Sequence, residues 1–150
     1  MAVRGVDDPT LARGIQLRSL EKLRPLALLL LRCGLALVFG FHGYPKFFGK
    51  TAVFVSAFER LGLPGYFVYI AGAIEVVGGL LLLLGLCTPV AALFLVLDMG
   101  AAMWKYNFSE GVYAVREYEL PLVLGLAALA LATTGAGPWS LDHLIFRRNK

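Results

Sequence analysis

The sequence predicts an all-α, polytopic membrane protein: an antiparallel four-helix transmembrane bundle with a short interfacial helix in the first outer loop. Three observations carry this reading. Of the 150 residues, 59% are hydrophobic, above the roughly 45–50% of soluble domains. The apolar residues gather into four runs, at about 25–41, 66–86, 89–104 and 120–134, each near the ~20 residues that cross a bilayer core as helix. Charged residues make up only 16% of the chain and fall mostly between the runs. A net charge of +4 distributed in this way reads as a topology signal and a contact with anionic lipid. It is not a nucleic-acid footprint.

The elements follow in order. Residues 1–24 form a basic N-terminal tail, in which Leu11, Ile15, Leu20 and Leu23 roughly share a face. That spacing predicts a short amphipathic helix over 11–23, lying on the membrane surface. The first apolar run starts only after this polar tail and has no small-x-small cleavage site close behind it, so it is expected to stay in the membrane. The transmembrane domain covers 25–138. Its first, third and fourth runs are slightly short and can lengthen by a turn into flanking residues. The first connection, 42–65, holds an amphipathic stretch at 51–61 between Gly49 and Gly62, which predicts the interfacial helix. Only Cys87, Thr88 and Pro89 separate the second and third runs, so those helices form a tight antiparallel hairpin. The third connection, 105–118, is polar and carries Tyr106, Phe108, Tyr113 and Tyr118.

Glu117 and Glu119 open the fourth helix, where the macrodipole favours acids and where Pro121 suits a first turn. Residues 139–150 close the chain as a second basic tail. Lysines and arginines number eight on the side of the tails and five on the other, so both termini are expected to be cytoplasmic. The two cysteines, Cys33 and Cys87, make no CxxC and are read as free thiols packed as small apolar groups.

Three charges lie inside the apolar runs: Arg32, Glu75 and Asp98. Each costs at least about 2.5–3.5 kcal/mol at the bilayer centre and should therefore face protein and have a partner. Measured from the ends of the runs, Arg32 stands roughly 10 Å deep and Glu75 and Asp98 roughly 14 Å deep, at 1.5 Å per helical residue. The three are thus expected at one level. Small residues share their faces: Ala36 and Gly40 beyond Arg32, Gly72, Gly78 and Gly79 around Glu75, Ala101 and Ala102 beside Asp98. Small residues mark where membrane helices approach closely. One arginine cannot neutralise two carboxylates, so either Glu75 or Asp98 is expected to hold a proton at neutral pH, a property suited to proton transfer or to a site beside a quinone. The structural alternative is that the three charges only fix helix register.

At the outer end of the first helix, His42 and Lys46 stand about one turn apart. They could hold the polar head of a ligand, with Glu119 completing the site, or they could simply anchor the helix at the interface. The chain has no G-x-G-x-x-G and no P-loop. Its two histidines, His42 and His143, lie at opposite ends, which excludes a two-histidine haem site, and no metal site is expected. Redox chemistry would need a bound quinone or a partner protein.

From about Leu30 to Asp142 the chain resembles the DoxX family. The resemblance rests on Arg32-x-x-Leu35, Phe39, His42-Gly43-x-x-Lys46 and Gly62-Leu63-Pro64. It continues through Ile74-Glu75-x-x-Gly78-Gly79, Leu84-Gly85-Leu86-x-Thr88-Pro89 and Glu119, and ends on Gly135-x-Gly137-Pro138-x-Ser140-Leu141-Asp142. In the family an arginine often stands where this chain has Pro89. The resemblance implies a four-helix bundle in the bacterial cytoplasmic membrane and, less directly, an oxidoreductase role. Relatives include subunits of thiosulfate:quinone oxidoreductase and a membrane partner of a superoxide dismutase and a sulfurtransferase.

These readings converge on a redox-linked membrane subunit that binds quinone or a quinone-like or phenolic molecule. Glu75, Asp98 and Arg32 are its expected catalytic residues, and His42, Lys46 and Glu119 its expected substrate-binding residues. The alternatives are a non-catalytic scaffold anchoring a redox partner protein and a small-solute carrier. The small-residue faces also allow a homo-oligomer.

Overall fold

The computed structural model describes residues 21–110 and 115–147, and these form six helices. They are α1 (Arg24–Phe47), α2 (Thr51–Arg60), α3 (Phe67–Leu84), α4 (Thr88–Glu110), α5 (Val115–Thr134) and α6 (Leu141–Arg147). No strand occurs among the described residues. The expected surface helix over 11–23 lies, except for its last three residues, outside the described residues. Arg4, Arg13, Arg18, Arg148 and Lys150 lie outside them too.

The four long helices pack as two close pairs, α1 on α3 and α4 on α5, joined through the α3–α4 hairpin. Leu35, Phe39, Leu82, Leu95, Leu124 and Leu131 head the buried core. Outside it, Leu30, Leu37, Phe41, Val77, Leu80 and Leu97 are exposed. Large apolar side chains turned outward in this number are what a bundle presents to lipid rather than water. By length and composition, Arg24–Phe47 and Phe67–Leu84 can each cross a membrane. The apolar stretches Thr88–Trp104 and Glu119–Thr134 are shorter.

Two helix ends differ from the sequence expectation. α1 runs six residues past the end of its apolar run, through His42-Gly43-Tyr44-Pro45, a stretch that reads locally as a break. Pro45 removes one N–H, and the chain turns extended only at Phe48 (φ −127°, ψ 121°). α5 begins at Val115, not near Glu119, so Pro121 sits inside the helix and Glu119 stands beyond the first-turn N–H groups. The amphipathic stretch after Gly49 does form a helix, α2, with no fully buried residue.

The end of the molecule that carries residues 21 and 147 is called here the terminal end; the opposite one is the loop end. At the terminal end α3 stops in a Schellman arrangement. Gly85 adopts φ 65°, a left-handed conformation suited to glycine, and the Leu86 N–H donates to the Leu81 carbonyl at 2.9 Å. The segment from 139 onward, the start of the expected basic C-terminal tail, folds back here. The Ser140 hydroxyl donates to the Gly137 carbonyl (2.7 Å) and accepts from the His143 N–H (3.1 Å), capping α6. The Asp142 carboxylate accepts from the Cys87 and Thr88 N–H groups at 2.7 and 2.9 Å, so it caps the start of α4 from 54 residues away. The Asp142 N–H in turn donates to the Gly85 carbonyl at 2.8 Å.

Candidate functional site

Helices α1 and α3 run antiparallel, in a register fixed by glycine. A methyl group placed on Gly43 would stand 2.7 Å from Val76 Cγ2 and 3.0 Å from both Glu75 Cβ and the Gly72 carbonyl oxygen. One placed on Gly72 would stand 2.9 Å from the Phe47 ring and 3.1 Å from Lys46 Cβ. No side chain larger than hydrogen fits at this crossing, and the backbones close up as small residues allow. The close approach brings Lys46, near the end of α1, beside Glu75, eight residues into α3.

Lys46 Nζ donates to Glu75 Oε2 in an ion pair with only 11% and 4% of the two side chains exposed. A pair this well removed from solvent holds together because either partner alone would be an uncompensated charge in an apolar medium. Asp98, half-buried on α4, lies within electrostatic range of both Glu75 and Lys46. Its level follows from Leu95, which packs on Gly78 of α3; one turn toward the loop end, Asp98 comes level with Glu75. His42, exposed on α1, also acts electrostatically on Glu75. Its Nδ1 lies 2.9 Å from the Val38 carbonyl oxygen. Because a carbonyl only accepts, Nδ1 carries the hydrogen, and in the neutral ring Nε2 is left as an acceptor.

The expected meeting of Arg32 with Glu75 and Asp98 does not occur. Arg32 is 2% exposed and directs its guanidinium to backbone carbonyls instead. Nε donates to Leu82 O (2.9 Å), Nη2 to Leu83 O (3.1 Å), and Nη1 to Ala136 O (2.8 Å) and Trp139 O (2.9 Å). The physical reason is depth. The last carbonyls of α3 have no intrahelical partner, and they stand at Arg32's level. Glu75 lies seven residues, or about 10 Å, further toward the loop end. Arg32 is therefore a structural cation at a helix C-terminus, where the macrodipole favours it. Glu119 is exposed on α5 and makes none of the bonds described for this site.

Of the six expected site residues, the structure thus joins Lys46 to Glu75, gathers Asp98 and His42 around them, and leaves Arg32 and Glu119 apart. The sequence does not show the ion pair because the first apolar run ends near Phe41 and leaves Lys46 beyond it, whereas the helix continues to Phe47. Aromatic rings crowd the same end: Tyr44 on Phe48 at 4.9 Å and Phe47 near Tyr69 at 6.2 Å between centroids. A separate cleft of about 880 Å³ opens at the terminal end, between Arg24, Leu28, Gly135, Pro138 and His143, far from the pair. No group of three or more His, Cys, Asp or Glu residues suited to a metal ion occurs among the described residues.

Comparison with known proteins agrees with this architecture. The DoxX family model matches residues 27–107. The chain is 30% identical over 122 residues to the Bacillus subtilis protein named "Putative oxidoreductase CatD", covering 81% of this chain and 89% of that one. It is 31% identical to the "Uncharacterized membrane protein Rv3486" of Mycobacterium tuberculosis, covering 99% and 96%. It is 29% identical to the "Inner membrane protein YqjF" of Escherichia coli, covering 86% and 99%. No solved structure matches. By the family match, relatives at 30% and 31% identity and the outward apolar surface, the chain belongs to the DoxX family of membrane proteins.

Proposed function

We propose that this protein is a redox-linked membrane subunit that handles the protons of a quinone or a quinone-like phenolic molecule at the loop end of the bundle. In this reading α1, α3, α4 and α5 all cross the inner membrane, with both termini at the cytoplasmic face. The buried Lys46–Glu75 pair carries the proposal. An ammonium is suited to a carbonyl or phenolate oxygen, and a carboxyl beside it can give or take the proton that such an oxygen gains on reduction. Asp98 shares the charge balance, and His42 offers Nε2 at the exposed edge. The clustered rings of Tyr44, Phe47 and Tyr69 suit a planar aromatic ligand. The electrons come from a redox partner protein, since the chain's own site residues handle only protons. The name borne by the Bacillus subtilis relative supports a redox role.

A second reading, a scaffold that anchors the redox partner, draws on Arg32, whose bonds all serve packing. Glu75→Gln separates the two. Quinone-dependent turnover in membranes should fall at least about tenfold, in line with the loss of a general acid–base group, while the variant still assembles with its partner. Unchanged turnover, or mass spectrometry of the protein purified with native lipid that finds a stoichiometric protein and no quinone, defeats the quinone reading.

A further inference from the structure

We infer that the Lys46–Glu75 site exchanges its proton with the loop-end side of the membrane alone. The inference rests on the reading that this pair handles protons, and it adds the side from which they come.

Toward the loop end the way is short, and polar groups stand along it beside the rings of Phe47 and Tyr69. Lys46 stands one residue from the end of α1, and His42 is exposed with its Nδ1–H fixed on Val38. Asp98 is half-buried at Glu75's level. Toward the terminal end the way is blocked by a layer to which each long helix gives one side chain. Phe39 of α1, Leu82 of α3, Leu95 of α4 and Leu131 of α5 all have zero exposure. Ala36, Ala92 and Ala128 fill the space beside them and are buried as well.

Proton transfer needs polar groups within hydrogen-bond reach of one another or bridged by a water. A close-packed apolar layer offers no such chain, and even its voids stay dry. The layer separates Glu75 from the Leu82 carbonyl by about 10 Å along α3. Behind it stands Arg32, a fixed positive charge that repels a proton or cation arriving from the terminal end, as arginine does in selective pores.

The charged groups around Glu75 fit this direction. α1 contributes Lys46 and His42, and α4 contributes Asp98. On α2, Glu59 turns toward Gly65, and Arg60 donates to its own Ser56 carbonyl. None of these groups lies on the terminal side of the apolar layer. Each proton that Glu75 gives up is accordingly replaced by one from water on the loop-end side, past Asp98 and His42.

The test uses the full chain in vesicles selected for one orientation. The Glu75 carboxyl band, identified in infrared difference spectra by its loss in Glu75→Gln, is followed while pH is stepped on one face and clamped on the other. The band should follow a step on the loop-end face and ignore one on the terminal face. A response to the terminal face, to both faces alike or to neither overturns the inference. Turnover is not read in this experiment. A failed sidedness therefore leaves the quinone reading standing, and a loop-end response in a protein that binds no quinone leaves the sidedness standing.

Discussion

At the scale of single residues, the two buried cations have opposite roles. Lys46 meets a carboxylate, and its removal leaves a buried charge; Arg32 meets four carbonyls, and its removal leaves unsatisfied acceptors. Lys46→Met or Glu75→Leu alone should lower stability in detergent by about 3–5 kcal/mol, whereas the double variant should recover most of that loss. Thermal unfolding of the four proteins in the cycle checks this, and additive losses would mean that the pair is uncoupled. Arg32→Lys keeps the charge but cannot supply the planar fork. With at least one buried carbonyl left unmet, stability should fall by about 1–3 kcal/mol. Mass spectrometry of the purified variant should find the same small molecules, if any, as in the parent protein. The sequence made charge inside the bundle legible at Glu75 and Asp98, but not its partners. Opposite charges suggest each other on paper, whereas a backbone carbonyl carries no signature in the residue letters, so the ligands of Arg32 were hidden until α3 and the turn at 136–139 were placed.

At the scale of elements, close approach decides the site. Gly43 and Gly72 let α1 and α3 pack near enough for Lys46 to reach Glu75. Gly43→Val would drive its side chain into Val76 and the Gly72 carbonyl. It should separate the two helices and cost about 1–3 kcal/mol as overpacking. Thermal unfolding in detergent should show that loss, and an unchanged midpoint would mean that the crossing tolerates a side chain. The four helices and the short α2 were legible from hydropathy and amphipathic spacing alone. Their ends were less so. His42-Gly43-Tyr44-Pro45 holds two residues that break isolated helices, yet α3 supports the stretch from the side, and tertiary packing overrides local propensity. The Gly135–Asp142 motif stood out as part of the family resemblance. Its bonding role, capping α4 through Asp142, is a contact 54 residues distant that local spacing does not encode.

At the scale of the whole molecule, the fold separates a polar loop end from a clasped terminal end. With four crossings, Cys87, which is exposed in the α3–α4 turn, lies on the same face as both termini. In a Cys33→Ala background, a membrane-impermeant maleimide should label it from that face only. A cysteine replacing the exposed Ser56 of α2, with Cys33 and Cys87 both removed, should be labelled from the opposite face. Labelling of both positions from one side would require a different number of crossings.

The clasp at the terminal end also has a consequence for biosynthesis. The Gly85 carbonyl and the first amides of α4 belong to the middle of the chain, but the groups that satisfy them, the Asp142 N–H and its carboxylate, are translated near its end. Until those residues leave the ribosome, the α3–α4 turn keeps these groups open. The turn is therefore completed late in synthesis. A nascent chain cut short before Asp142 would insert its spans yet keep an uncapped corner, the kind of defect by which quality-control proteases recognise unfinished membrane proteins.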